Sequence, residues 1–167
     1  MSVKVVLFDM DNTIIDRQRF FEETVRQQVL IDHPVKDETY EQMVRDIIVW
    51  DENGHTKRDL TFEKYVEKYH LKRTAAEVNA YWEVHSGDCV YPFEDAYAVI
   101  LELKKTYRVG LLSNGTVYTQ YNKISHLPFK DEFEYTLVSG EIGIHKPDQR
   151  IFEKAAADLG VTCDACV

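Results

Sequence analysis

The chain has 167 residues, 44% of them hydrophobic and 29% charged, which is ordinary for a soluble globular protein and enough for one domain or for a core domain carrying an insertion. A net charge of -9 and a sequence pI near 5.1 argue against a nucleic-acid-binding surface, which needs a basic footprint, but leave room for a small phosphorylated ligand at a locally positive site. The N-terminal apolar run is far too short for a membrane span and ends in acids, and the three cysteines suit a reducing compartment, so a cytoplasmic protein without membrane contact is expected.

Taken in chain order, Val5-Val6-Leu7-Phe8 is continuously apolar and predicts a parallel strand covered on both faces. It runs into Asp9-Met10-Asp11-Asn12-Thr13, which places two carboxylates at the strand end, where ligands of open α/β sheets bind. Alone, an Asp-x-Asp pair more often belongs to a solvated loop or a cap. A long helical stretch follows. Phe21, Val25 and Val29 recur every four residues, and Tyr40, Met43, Val44, Ile47 and Ile48 mark one face of a second helix with Asp37 as its N-cap. Phe62, Tyr65, Val66 and Tyr69 predict a third helix. Val78, Tyr81, Trp82 and His85 predict a fourth, opened by the capping-box pair Thr74 and Glu77. The aromatic stripe Tyr65, Tyr69 and Trp82 reads as core, as do Phe20 and Phe21, while Arg17 and Arg19 read as solvated surface before they read as a substrate entrance. His55 and His70 are candidate substrate contacts, and His85, on the apolar face, is expected to be packed.

After Pro92 the pattern changes. Ala96, Val99, Ile100 and Leu103 form a helical face, Val109-Gly110-Leu111-Leu112 a buried strand, Val117–Ser125 a short helix and Tyr135-Thr136-Leu137-Val138 a third strand. Pro147 is expected to open a last helix that presents Ile151, Phe152, Ala155 and Leu159 and ends at Gly160. Strands alternating with helices predict a parallel sheet with right-handed crossovers, interrupted by an all-helical insertion. Two further strand ends are polar. Ser113-Asn114-Gly115 offers a hydroxyl, backbone N–H groups and a glycine that permits close approach, and its bland reading is a simple turn. Lys146, before Pro147, can neutralise a phosphoryl dianion; its bland reading is a surface charge. Cys163-Asp164-Ala165-Cys166 lacks the strand-to-helix setting of a redox pair and a second pair of metal ligands, and Cys89 reads as a packing residue.

Together and in this order, Asp9-x-Asp11-x-Thr13, Ser113-Asn114-Gly115 and Lys146-Pro147 resemble the three leading motifs of the haloacid dehalogenase-like (HAD) superfamily over the whole chain. The resemblance implies a Rossmann-like α/β core at 1–15 and 92–167 with a helical cap at 16–91. It also implies a magnesium-dependent phosphatase of small phosphomonoesters. Asp9 would be the nucleophile that forms an aspartyl-phosphate, and Asp11 the acid and base at the leaving group. Ser113, Asn114 and Lys146 would bind the phosphoryl group, Thr13 and Gly115 would shape the loops, and Asp9 with the Asp11 carbonyl would hold magnesium. Family dehalogenases lack an acid at the position of Asp11. A phosphosugar mutase using the same nucleophile, or a non-catalytic phosphate-binding protein on the same fold, are the alternatives. The family's fourth acidic motif has no counterpart before Val167. The core is therefore expected to be incomplete at its C-terminus, and the 1–167 fragment to expose the edge of its first strand and to be insoluble or inactive.

Overall fold

The computed structural model describes residues 2–167, and the chain divides into two compact units, one comprising the residues up to Asp16 with Val90–Val167, the other Arg17–Cys89.

The first unit is built on a three-stranded parallel sheet of β1 (Val5–Phe8), β2 (Arg108–Ser113) and β3 (Tyr135–Val138), in the order β1-β2-β3. Val5 pairs with Arg108 and Gly110 with Tyr135, so the three strands end side by side. Val109 and Leu111 enter one face, where they meet Met10, Ile14, Ile100, Ile124 and Leu127; Leu112 enters the other with Leu137, Ile151 and Ala155. The period of two along β2 thus feeds two separate cores. Ile100 belongs to α5 (Ala96–Lys104), Ile124 to α6 (Val117–Ser125), and Ile151 to α8 (Gln149–Asp158), so helices cover both faces, as in doubly wound folds. β1 departs from the expectation of burial throughout. Val5 is fully buried, but Val6, Leu7 and Phe8 are half-buried; among the described residues the outer edge of this strand is met by main-chain bonds from Lys4 N–H to the Ala165 carbonyl, Leu7 N–H to the Val167 carbonyl and Val167 N–H to the Val5 carbonyl.

Two further differences lie after β3. A single helical turn, α7 (Ser139–Ile142), occupies what reads as loop, and α8 begins at Gln149 rather than at Pro147. The N-cap is Asp148, whose carboxylate accepts from the Arg150 N–H at 3.0 Å; a side-chain acceptor for the free N–H groups decides where this helix starts. The chain leaves and re-enters this unit side by side, with Phe93 N–H bonded to the Ile14 carbonyl and Asp16 N–H to that of Tyr91. At the end of the sheet where the strands begin, Arg108 donates to both carboxylate oxygens of Glu134 and, at 2.7 Å, to the Leu159 carbonyl.

The second unit consists of α1 (Arg17–Asp32), α2 (Glu38–Asp51), α3 (Arg58–Tyr69) and α4 (Ala75–His85). Asp37 caps α2 and the Thr74–Glu77 box caps α4, as their spacing predicts. Trp82 is fully buried, with the rings of Phe20, Phe21 and Phe62 at 5.2–6.2 Å, and Tyr40, Val44, Ile47 and Tyr65 are buried as well. Removing a side chain the size of Trp82 from such a core costs about 3–5 kcal/mol. His85 is not packed inside. Its ring stacks on Tyr81 at 4.2 Å and its Nδ1 faces Asp88, because the helix ends there and the ring lies over the last turn. No helix among the described residues is long and apolar enough to cross a membrane.

Candidate active site

All three polar segments lie where β1, β2 and β3 end. The apolar strands bring them together: each strand stops pairing once its buried run is used up, and the next residues form loops on the same side of the sheet. Asp9 follows β1 directly. Its Oδ1 accepts from Lys146 Nζ at 2.7 Å and from the Met10 N–H at 2.8 Å. No hydrogen bond engages Oδ2 among the described residues, and the side chain is 45% exposed, so one carboxylate oxygen is fixed and the other faces outward. Lys146 is tied at a second point by the Leu112 carbonyl, at 2.6 Å. A lysine so held is a placed charge, not a mobile surface one.

Asn114 does not use its amide outward. Its Nδ2 donates to the Lys146 carbonyl at 2.9 Å and its Oδ1 accepts from the Lys146 N–H at 2.8 Å. This reciprocal pair locks the loop after β2 to the one that carries the lysine, whose bond to Pro147 is cis. The loops are joined again where Gly115 N–H donates to Ser139 Oγ and Gly140 N–H donates to the Gly115 carbonyl. A Cβ on Gly140 would sit 2.8 Å from that carbonyl, so only glycine allows the approach. Ser113 is buried, and its Oγ accepts from Gln120 Nε2 at 2.9 Å, which leaves the hydroxyl proton to be donated.

After Asp9 the chain turns sharply. Asn12 has a φ of 61°, a left-handed conformation that asparagine tolerates better than most residues, and the N–H groups of Thr13, Ile14 and Ile15 all point at the Met10 carbonyl. Thr13 takes part in this turn through its main chain, and its side chain is exposed. Asp11 faces α6. Lys123 Nζ lies 2.7 and 2.8 Å from its two carboxylate oxygens, and Gln120 Nε2 lies 3.2 Å from Oδ2. Sequence reasoning missed both partners. The signal was the interval of three from Gln120 to Lys123, followed by Ile124, which puts both on the buried face of α6.

The Asp9 carboxylate and the Asp11 main-chain carbonyl, which accepts no backbone hydrogen bond among the described residues, are hard oxygen donors, the chemistry that suits magnesium. Among the described residues no three His, Cys, Asp or Glu side chains cluster as a metal cage. The donors present therefore match an ion that keeps waters and shares a substrate phosphate.

Other residues weighed in the sequence belong to the helical unit or to the C-terminal turn, where Cys163 and Cys166 line a cavity together with Asp9 and Lys146. Within the helical unit, Arg17 is paired with Asp51 at 3.2 Å and Asn53 at 2.9 Å and lies over the Phe21 ring, while Arg19, His55 and His70 are exposed. Cys89 is buried. Cys163 and Cys166 are free thiols in a single helical turn, and burial, reinforced by the charge of Cys163, pushes the Cys166 thiol up rather than toward a reactive thiolate.

The chain matches the family model of the haloacid dehalogenase-like hydrolases over residues 3–167. It is 31% identical to a glyceraldehyde 3-phosphate phosphatase of Pyrococcus abyssi, across 95% of this chain and 69% of that protein. It is 25% identical to the pyrimidine 5'-nucleotidase YjjG of Escherichia coli, across 93% and 71%. Its fold matches that of the HAD-hydrolase YfnB from Bacillus subtilis, whose crystals contained magnesium, with a TM-score of 0.69 at 19% identity over 95% of this chain and 73% of that one. With its parallel sheet, polar strand ends and a family match along nearly its full length, the chain belongs to the haloacid dehalogenase-like hydrolases.

Proposed function

We propose that this protein is a magnesium-dependent phosphatase of small phosphomonoesters that works through an aspartyl-phosphate on Asp9. The observation that carries the reading is the asymmetry of the Asp9 carboxylate: Oδ1 is pinned by Lys146 Nζ at 2.7 Å while Oδ2 is left outward as a nucleophile. Bound between Asp9 and the Asp11 carbonyl, magnesium would offset phosphoryl charge. Asp9 Oδ2 attacks phosphorus, the bond to the leaving oxygen breaks, and Asp11 gives that oxygen its proton. Asp11 then takes a proton from a water molecule that attacks the same phosphorus, the bond to Asp9 breaks, and inorganic phosphate departs. The Ser113 hydroxyl donates to a phosphoryl oxygen, Lys146 neutralises its charge, and Asn114 keeps Lys146 in place. Gly115 and Thr13 shape the two loops. The helical residues 16–91 are the counterpart of the family's helical cap. The three free cysteines agree with a cytoplasmic setting.

The names of the relatives support a small phosphorylated metabolite as substrate and suggest where to begin. The test is phosphate release by the full-length protein from glyceraldehyde 3-phosphate, nucleoside monophosphates and other phosphorylated metabolites, with and without magnesium. Asp9→Asn should abolish release from every substrate that the wild type accepts. Release from none of them, or release unchanged by Asp9→Asn, would overturn the reading.

A further inference from the structure

Lys123 is a buried cation, its side chain 4% exposed, on a helix that also buries Ile124 in the sheet core. An ammonium at such a position is costly unless it is paired, and an apolar side chain of similar size would pack there without that cost. Its pairing is specific. Both Asp11 carboxylate oxygens lie within 2.8 Å of Nζ, which fixes the direction in which the carboxylate points, and the Gln120 contact to Oδ2 restrains its twist. Gln120, one turn earlier, places its Nε2 within 3.2 Å of Asp11 Oδ2, Ser113 Oγ and the Asn114 carbonyl, which share its two amide protons. Its place depends on Gly115, where a Cβ would come within 2.7 Å of the Gln120 side chain.

We propose that Lys123 is a positioning residue for Asp11. It holds the carboxylate in the orientation from which it exchanges a proton with the leaving-group oxygen, and Gln120 ties that orientation to the phosphate-binding loop at Ser113. The role rests on the phosphatase reading above, but its test separates the two. A group that acts through the leaving-group proton matters for an alkoxide, which must be protonated as it leaves, and hardly for a nitrophenolate, which leaves unaided.

The experiment compares kcat/KM for glyceraldehyde 3-phosphate and for p-nitrophenyl phosphate, using the full-length protein with magnesium chloride. General acid–base groups contribute on the order of 10²–10⁴ in rate, so mispositioning one by Lys123→Met should lower kcat/KM for the alkyl phosphate by about 10–100-fold and that for the aryl phosphate by less than about threefold. Lys123→Arg, which retains the cation, should recover most of the alkyl activity. The ratio of the two values from one sample does not depend on how much of that sample is folded. If Lys123→Met yields no soluble protein, Gln120→Leu should shift the ratio in the same direction. Equal losses on both substrates, or an unchanged ratio, would make Lys123 a packing residue and overturn the role while leaving the phosphatase reading intact. If the wild type does not accept glyceraldehyde 3-phosphate, the alkyl phosphate of the panel that it hydrolyses best takes its place, and a wild type that hydrolyses no ester of the panel would overturn both.

Discussion

At the scale of the residue, the site is a set of polar groups whose freedom has been removed. Lys146 is fixed from both ends, by its side chain on Asp9 and Leu112 and by its main chain on Asn114. A preorganised donor costs no rearrangement as charge develops, and removing one such group typically lowers turnover by about 10²–10³-fold. Lys146→Met is therefore expected to lower kcat by that order while its circular dichroism stays that of the wild type; steady-state kinetics beside the spectrum check it, and a tenfold loss or less would mean that the charge is dispensable. Asp9, Asp11, Ser113 and Asn114 were legible in the sequence because they follow or end an apolar run where a buried strand ends, and Lys146 because it directly precedes Pro147. Gln120 and Lys123 were not, because polar residues on a short helix read as solvated until the fold shows which face is covered. The inward use of the Asn114 amide was likewise invisible, since a side chain's partners 32 residues away are not written in its neighbours.

At the scale of the element, α8 shows how a cap overrides a proline. The sequence offers Pro147 as a helix opener, yet the first turn forms at Gln149, behind the carboxylate of Asp148. The Arg150 side chain, and then its backbone N–H, hold the Asp148 carboxyl at about 2, below its ordinary value of 3.8. A depressed carboxylate stabilises the folded state above its unfolded value, and that contribution is lost as pH falls through about 2. Asp148→Ala should thus lower the urea midpoint at pH 6, and the gap to wild type should close toward pH 2. A gap that persists unchanged at pH 2 would show that the cap acts through something other than its charge. The long helices were readable from their 3.6-residue rhythm, whereas α7, with four residues, is too short to have one.

At the scale of the whole molecule, the chain divides into two compact units, each with its own buried side chains. Both tryptophans, Trp50 and Trp82, belong to the helical unit, and the sheet unit has none. Tryptophan fluorescence therefore follows one unit alone, while far-ultraviolet circular dichroism follows both. Units with separate cores need not melt together, so urea unfolding traced by the two probes should give midpoints that differ. Superimposable curves would show a single cooperative transition. The α/β class and parallel order were legible from alternating strands and helices, because buried parallel strands carry continuous apolar runs. The partial exposure of β1 does not show in its apolar run, and only the family resemblance implied an open edge there. The Arg108 clamp draws a further division within that sheet. Exposed ion pairs weaken as salt shortens the reach of charge to about 8 Å at physiological ionic strength. Arg108 and Glu134, both well exposed, join β2 and β3 where the strands begin, whereas the ion pairs where the strands end, Lys146–Asp9 and Lys123–Asp11, are more enclosed and sit beside neutral main-chain and amide hydrogen bonds. Ionic strength therefore acts first on the end of the sheet remote from the candidate site, and the site's own rim has a separate salt tolerance.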